Sequence, residues 1–357
     1  MADQVTLRDI AEESGYSIAA VSLALRHKPG VSDTTREHIL AVAETLGYPL
    51  KGSEEADPSG ELKNLGLIVK SEPENPPRAN PFYSRILVGI EDVCRRGDIN
   101  LLYAKILVDS NNHPVQIPKL LSHSELDGLL IVGAFIDEAV TSQLEDQLQI
   151  PVVLVDAYAA NKAYDAVVSD NFSGAYTAVK YLIDQGHRHI GMLGGCQSTY
   201  PSLRERRRGY EQALLDYEIA RSYLTDCTLR PDDAFDVTQE LLETNPQLTA
   251  IFGCNDEVSI AAIQAAQKMG RNVPEHLSII GYDDIDFAQY VTPPLTTMRV
   301  DKIVMGREAV RLLLWRLRFP DAARVTVTVH SPLVERSSVI PCSEKIYSKK
   351  LISATNN

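Results

Sequence analysis

Seven short apolar runs recur along this chain: LGLIV (65–69), INLLYAKI (99–106), DGLLIV (127–132), PVVLVD (151–156), HIGMLGG (189–195), TAIFGCND (249–256) and LSIIGYDD (277–284). Unbroken apolar runs of this length are what strands buried on both faces of a parallel sheet require. Between them, stretches such as 83–96, 172–185, 204–217 and 257–269 read as helices. A strand–helix–strand rhythm specifies a doubly wound α/β fold. Over 357 residues, two stacked lobes accommodate it better than one sheet.

The chain carries a formal charge of −13 and is 44% hydrophobic. That balance argues against a protein that coats nucleic acid, yet leaves room for a small binding module on a large acidic body. Five cysteines, Cys94, Cys196, Cys227, Cys254 and Cys342, show no CxxC spacing. They read as reduced thiols in a cytosol, without a disulfide framework or metal site. The N-terminus has no secretory pattern, and no apolar stretch approaches the ~20 residues of a membrane span. A cytoplasmic protein with no membrane partner is therefore expected. No GxGxxG or GK[ST] follows a strand, so the turn at Gly194-Gly195 is no cofactor signature. No nucleophile elbow or acid/base pair is evident, and His187 and His189 read as packing residues. No cofactor and no enzyme activity are expected.

The first fifty residues have a different character. Thr6 can cap a helix, with Asp9 three residues on to answer it. Gly15 suits the positive φ of a helix end. Ser17 then caps a second helix over 18–25, and Ser32 a third, with Ile39, Ala43 and Leu46 at helical spacing. Two short helices joined by a glycine-containing turn are the helix-turn-helix pattern, within an all-α N-terminal domain.

The wording of this segment is specific. TLRDIA, the SGYS turn, AVSLAL, GVSDTTRE and the closing LGY closely resemble the N-terminus of the lactose-repressor/galactose-repressor (LacI/GalR) family of bacterial transcription regulators. The resemblance continues through NPFYSRILVGIEDVCRRGDINLLYA, LRERRRGYEQAL, VPEHLSIIGYDDIDFAQYVTPPLTTMRVD and MGREAVRLLL, covering 6 to about 339. It implies a DNA-binding head on a two-lobed core like that of periplasmic sugar-binding proteins, with three chain crossings between the lobes. The expected domains are a head at 1–49, an acidic linker at 50–64, an effector-binding and dimerisation core at 65–341 and a tail at 342–357. One lobe is expected at 65–165 plus 296–325, the other at 166–295 plus 326–341.

In such a head the second helix enters the major groove. By position Ile18, Ala19 and Leu23 face base edges; apolar groups there can contact thymine methyls but cannot form bidentate bonds to guanine or adenine. Arg26 is then the hydrogen-bonding reader. Phosphate contacts are expected from Arg8, Ser17, Ser22, Lys28, Ser32 and Thr35. Over residues 1–53 five cations (Arg8, Arg26, Lys28, Arg36, Lys51) meet seven acids, so the head is net −2 and its non-specific grip on DNA should be weak.

In the core, residues matching family ligand positions also make chemical sense. Asp283 can accept from two hydroxyls, Arg206 can fork onto vicinal hydroxyls or a carboxylate, Asn255 offers donor and acceptor, and Phe82 and Tyr83 can floor a sugar ring. Asp256 is a further effector candidate, although an Asp at a strand-to-helix junction is often an N-cap. Leu229 and Val300 replace a tryptophan and a glutamine found in the lactose repressor, leaving fewer polar anchors. The resemblance thus implies a repressor, working as a homodimer on double-stranded operator DNA, governed by a sugar-like effector. The alternative is a sugar sensor with weakened DNA binding that acts through a protein partner.

The connector YPLKGSEEADPSGEL (48–62) departs most from the family pattern. Where that pattern forms a hinge helix that wedges paired leucines into the minor groove, this chain has Glu54, Glu55 and Asp57 followed by Pro58. A carboxylate there meets negative potential, and Pro58 opposes helix. The expectation is a solvated linker that does not kink DNA, with Leu62 as the alternative wedge.

Overall fold

The computed structural model describes residues 5–25, 30–46, 62–71, 80–109, 112–116, 118–122, 125–136, 150–159, 164–195 and 200–342. The chain divides into two compact units, Met1–Glu61 and Leu62–Asn357. The linker positions 50–61 and the tail beyond 342 lie outside the described residues.

The first unit contains α1 (Leu7–Ser14), α2 (Ile18–Leu25) and α3 (Asp33–Thr45). The Thr6 backbone N–H and hydroxyl both donate to Asp9 Oδ2, at 2.7 and 2.8 Å, so the expected reciprocal start of α1 forms. Gly15 ends it at φ 74°, in the left-handed region that favours glycine. Ile10, Ala11, Val21, Ala24, Ile39 and Ala43 make the small core. Arg36 of α3 turns inward and donates to the carbonyls of Leu23 and Ala24, both at 3.3 Å, closing the C-terminal end of α2.

The second unit has two six-stranded sheets. In lobe 1 the order is β13-β7-β5-β3-β1-β2, built from β1 (Asn64–Ser71), β2 (Asn100–Leu107), β3 (Gly128–Val132), β5 (Val152–Val155), β7 (Asp165–Ser169) and β13 (Thr326–Val329), all parallel. A two-stranded pair, β4 (Phe135–Ile136) and β6 (Tyr158–Ala159), lies apart from it. In lobe 2 the order is β14-β12-β11-β10-β8-β9, from β8 (Ile190–Leu193), β9 (Tyr223–Thr225), β10 (Ala250–Gly253), β11 (Ser278–Asp283), β12 (Thr296–Arg299) and the antiparallel β14 (Leu333–Val334). All seven apolar runs are strands, and the central ones are buried throughout, as in GLLIV of β3 and SIIGYD of β11.

Helices cover the sheets. Lobe 1 carries α4 (Pro81–Arg96) and α9 (Lys302–Arg318), packed on each other. Lobe 2 carries α5 (Asn171–Asp184) against α6 (Pro201–Asp216), and α7 (Pro231–Thr244) against α8 (Asp256–Lys268). The α4–α9 crossing is unusually close: a Cβ on Gly306 would lie 2.2 Å from the Ile86 carbonyl oxygen, and one on Gly89 2.2 Å from that of Ile303. Only glycines allow backbones to meet there.

The crossings correct the expected lobe boundaries. β7 (165–169) and β13 (326–329) belong to lobe 1, and β12 (296–299) to lobe 2. The chain therefore passes between lobes at about 170, 300 and 330, a few residues later than expected. The expected boundary at 165/166 cuts through β7, and those at 295/296 and 325/326 assign β12 and β13 to the wrong lobe, because these strands are short and carry no unbroken apolar run. No helix among the described residues is long and apolar enough to cross a membrane.

Leu62 is fully buried in the core of the second unit. Asp127 Oδ2 accepts from the backbone N–H of Lys63 and Asn64, both at 2.8 Å, and fixes the start of β1. In the free chain Leu62 is thus a core residue and not an exposed wedge.

Candidate functional site

In the head, α2 presents an apolar, uncharged surface. Ile18 is 50% exposed, Ala19 is exposed and Leu23 is half-buried, and none of the three joins the core of the unit. Arg26 and Lys28 lie outside the described residues. Ser17 accepts from the Ala20 N–H at 3.2 Å, and Ser32 accepts from the Thr35 N–H at 3.2 Å while bonding the Thr35 hydroxyl at 2.8 Å. These hydroxyls serve first as helix caps, and Ser17 and Ser32 remain exposed. Ser22 is half-buried. Arg8 is exposed and lies 3.5 Å from Glu12 one turn on.

The core's site sits at the carboxyl ends of the strands, where open α/β sheets hold ligands. Its lobe 2 floor is a buried ion pair. Arg206, on α6, donates to Asp283 Oδ1 from Nη2 (3.0 Å) and to Asn171 Oδ1 from Nε (2.9 Å); Nη1 donates to the Cys254 carbonyl. Its guanidinium lies 3.8 Å from the Tyr282 ring centroid. With that many partners the side chain has one geometry, which is what bidentate recognition needs. Burial works against both charges. It pushes the Asp283 carboxyl up, while Arg206 and Lys302 oppose the rise. Burial is the largest single influence on the guanidinium and pulls its value down, but Asp283, Tyr282, Cys254 and Asp156 together outweigh it and hold the group above its ordinary value. Arg206 and Asp283, expected as two separate ligand contacts, are thus bound to each other within lobe 2.

Asn255 caps α8, its Oδ1 accepting from the Val258 N–H at 2.8 Å; among the described residues its amide nitrogen makes no hydrogen bond. Asp256 is not at the ligand surface. It is fully buried, and its two oxygens accept from the Thr297 hydroxyl (2.5 Å) and the Ile285 N–H (2.8 Å), so it ties α8 to the ends of β11 and β12. Its place as an effector residue is corrected on that ground. Val300 is buried in the core and Leu229 is half-buried.

Lobe 1 supplies the facing wall. Phe82 and Tyr83 start α4, edge to face with centroids 5.4 Å apart, capped by Asn80. Gly133, at φ 80°, makes room for Tyr83: a Cβ there would lie 2.6 Å from its ring. The Tyr83 hydroxyl donates to Asp156 Oδ2 at 3.5 Å. Asp156 itself, at the end of β5 with φ 46°, did not stand out in the sequence. The residue is part-exposed, but its Oδ1 is buried and has no hydrogen-bond partner among the described residues. Burial pushes its carboxyl up to about 6; Arg206 and Lys70 pull the other way and Asp283 adds to the rise. Lys70, at the end of β1, lies 3.2 Å from the Tyr200 hydroxyl and 4.3 Å above that ring, and 5.7 Å above the Tyr83 ring. Tyr200 belongs to lobe 2, so this contact spans the cleft, as does Arg85–Asp286 at 2.5 Å.

Comparison with known proteins matches both parts in order. Residues 6–49 match the family model for bacterial regulatory proteins of the lacI family, and 179–339 the one for a periplasmic binding protein-like domain. The ribose operon repressor of Haemophilus influenzae is 30% identical over 337 residues, covering 94% of this chain and 98% of that protein. Among solved structures, a complex of the regulator CelR with cellobiose is 27% identical, covers 94% of this chain and 99% of its own, and superposes with a TM-score of 0.67. A LacI-family regulator from Enterococcus faecium with bound ribose is 26% identical, covers 79% of this chain and all of its own, with a TM-score of 0.67. The helix-turn-helix head, the two-lobed core and the end-to-end match to a repressor make this chain a ligand-controlled, DNA-binding transcriptional repressor that belongs to the lacI family of bacterial regulatory proteins.

Proposed function

We propose that the effector is a monosaccharide-sized polyol or sugar held between the lobes by Asp283, Arg206 and Asn255 on one side and Asp156, Tyr83 and Phe82 on the other. The observation that carries this reading is the buried, unpartnered Oδ1 of Asp156 opposite the Arg206–Asp283 pair. A buried carboxylate oxygen without a donor is costly, and a ligand hydroxyl would relieve it. Ribose and cellobiose in the two solved neighbours support the ligand class. Calorimetric titration with ribose and cellobiose should show ribose binding, reduced at least ~tenfold, about 1.4 kcal/mol, in Asp156→Asn and Asp283→Asn. Undiminished binding in Asp283→Ala would remove this site from consideration.

The repressor is read as a cytoplasmic homodimer without catalytic activity. Phe287 and Tyr290 are 65% and 75% exposed beside Asp286, whose partner Arg85 lies one helical turn from the exposed Val88. That gives an apolar patch drawn from both lobes, suited to a second copy. Each copy would then offer one head to half of a near-palindromic operator. A second reading, a sensor that grips DNA weakly and acts through a protein partner, draws on the uncharged α2 and the inward-turned Arg36. Gel shifts at low and high salt separate the two: specific operator binding that survives ~150 mM salt supports the repressor.

A further inference from the structure

Lys302 is the first residue of α9, immediately after the crossing at Val300-Asp301. It is 7% exposed, and its ammonium donates to three backbone carbonyls: Asp283 (2.5 Å), Asp284 (3.1 Å) and Val300 (3.1 Å). An ammonium has three donors, and all three are used. Two of these acceptors lie in the Asp283-Asp284 turn of lobe 2, whereas α9 packs in lobe 1. The turn is itself constrained: Asp283 has φ 110° and Asp284 φ 52°, conformations side chains rarely adopt unless their surroundings impose them. Asp284 is held in addition by Arg299 (2.7 Å) and Arg336 (2.6 Å). Asp283 therefore offers its carboxylate to the cleft and its carbonyl to lobe 1.

What Lys302 is attached to makes this consequential. α9 and α4 touch backbone to backbone at Gly306 and Gly89, so they move as one body. α4 carries Phe82 and Tyr83 at the cleft, and the Lys302 ammonium lies 5.7 Å from the Phe82 ring centroid. It thus meets the turn behind the lobe 2 site and the aromatic wall of lobe 1 at once.

We infer that Lys302 is a positioning residue, the pin that fixes the α4–α9 body of lobe 1 to the Asp283-Asp284 turn, so that effector occupancy of Asp283 sets the angle between the lobes. The link to the effector rests on the ligand reading above; the pin itself does not. In full-length protein without ligand, Lys302→Met and Lys302→Gln should raise the radius of gyration seen by small-angle scattering. Amide exchange should accelerate at least ~tenfold across 283–286 and the first turn of α9, with β1, β3, β8 and β10 unchanged. Lys302→Arg should retain most of the wild-type protection. Wild-type scattering and exchange in both Lys302→Met and Lys302→Gln would overturn the inference. So would protection lost evenly through a whole lobe, which marks a residue that only packs. Asp283→Asn keeps the carbonyl, so it should leave scattering unchanged while losing ribose. If ribose binds neither wild type nor variant, the ligand reading fails and the exchange result still decides the pin.

Discussion

Replacing Asp156 by asparagine should stabilise the ligand-free protein at neutral pH while weakening its grip on the effector. Burial raises this carboxyl to about 6, against an ordinary aspartate value near ~4, a gap equivalent to roughly 3 kcal/mol when the group is ionised. That gap is already net of the attraction of Arg206 and Lys70; asparagine removes it but buries an amide in place of the carboxylate, so the net gain expected above pH 7 is about 1–2 kcal/mol. At ~2.1 cal/mol/K of unfolding entropy per residue, a unit the size of Leu62–Asn357 would gain ~1.5–3 °C in Tm. Asparagine also accepts a positive φ, so the backbone at φ 46° adds no new strain. The sign follows from linkage. The folded state holds this proton to higher pH than the unfolded state, so the contribution to stability is present at low pH and lost as pH rises from ~4 through about 6. Thermal or urea unfolding of both proteins between pH 4.5 and 8 therefore has a shape to match: the advantage of the variant is largest above pH 7 and closes on acidification. A variant less stable than wild type at pH 7.5, or an advantage independent of pH, would refute the reasoning.

Other outcomes follow from the same contacts. Because a ligand hydroxyl donating to Asp156 favours its ionised form, ribose affinity measured by titration should fall as pH drops through about 6. Gly306→Ala would force a methyl to 2.2 Å from the Ile86 carbonyl oxygen, so urea unfolding should show a loss of at least ~1–3 kcal/mol. Arg316→Met leaves Asp165, which has no exposure and bonds Arg316 at 2.7 and 2.9 Å, buried with only the longer ion pair to Arg324 at 3.7 Å; the expected loss is up to ~3–5 kcal/mol, part of it recovered in the double variant with Asp165→Asn. Ile18→Ser should weaken operator binding by about 1 kcal/mol, with the change in a binding-site selection confined to one base position per half-site.

The central strands were legible because LGLIV, GLLIV and SIIGYD are apolar on both faces, a demand few other structures make. β13, with its TVTV alternation, and the three-residue β9 carry no such mark; α7 lies between runs too widely spaced to frame it, and α9 follows the last of them. At the site, Asp283 was readable as a polar residue ending an apolar strand. Asp156 ends β5 and Lys70 lies near the end of β1 in much the same way, so that criterion applied to every strand would have reached both. Asp256 shows its limit. Asn255 and Asp256 are adjacent, one half-buried and capping α8, the other fully buried, and the bonds to Thr297 and Ile285 decide which is which.

Because the chain passes three times between the lobes, neither is complete until β13 and β14 have been made. Lobe 1 waits for α9 and β13, without which the glycine seam of α4 and the strands beneath it stand open. Lobe 2 waits for β14 and for Ser338, which accepts from the Thr296 N–H at 2.8 Å and donates to the Ile279 carbonyl at 2.5 Å. A ribosome that has released residues 1–301 has thus delivered a head able to fold on its own small core and two sheets that cannot close. A fragment ending there would carry the DNA reader without a finished sensor, so truncation after residue 301 should abolish ligand control before it abolishes recognition of the operator.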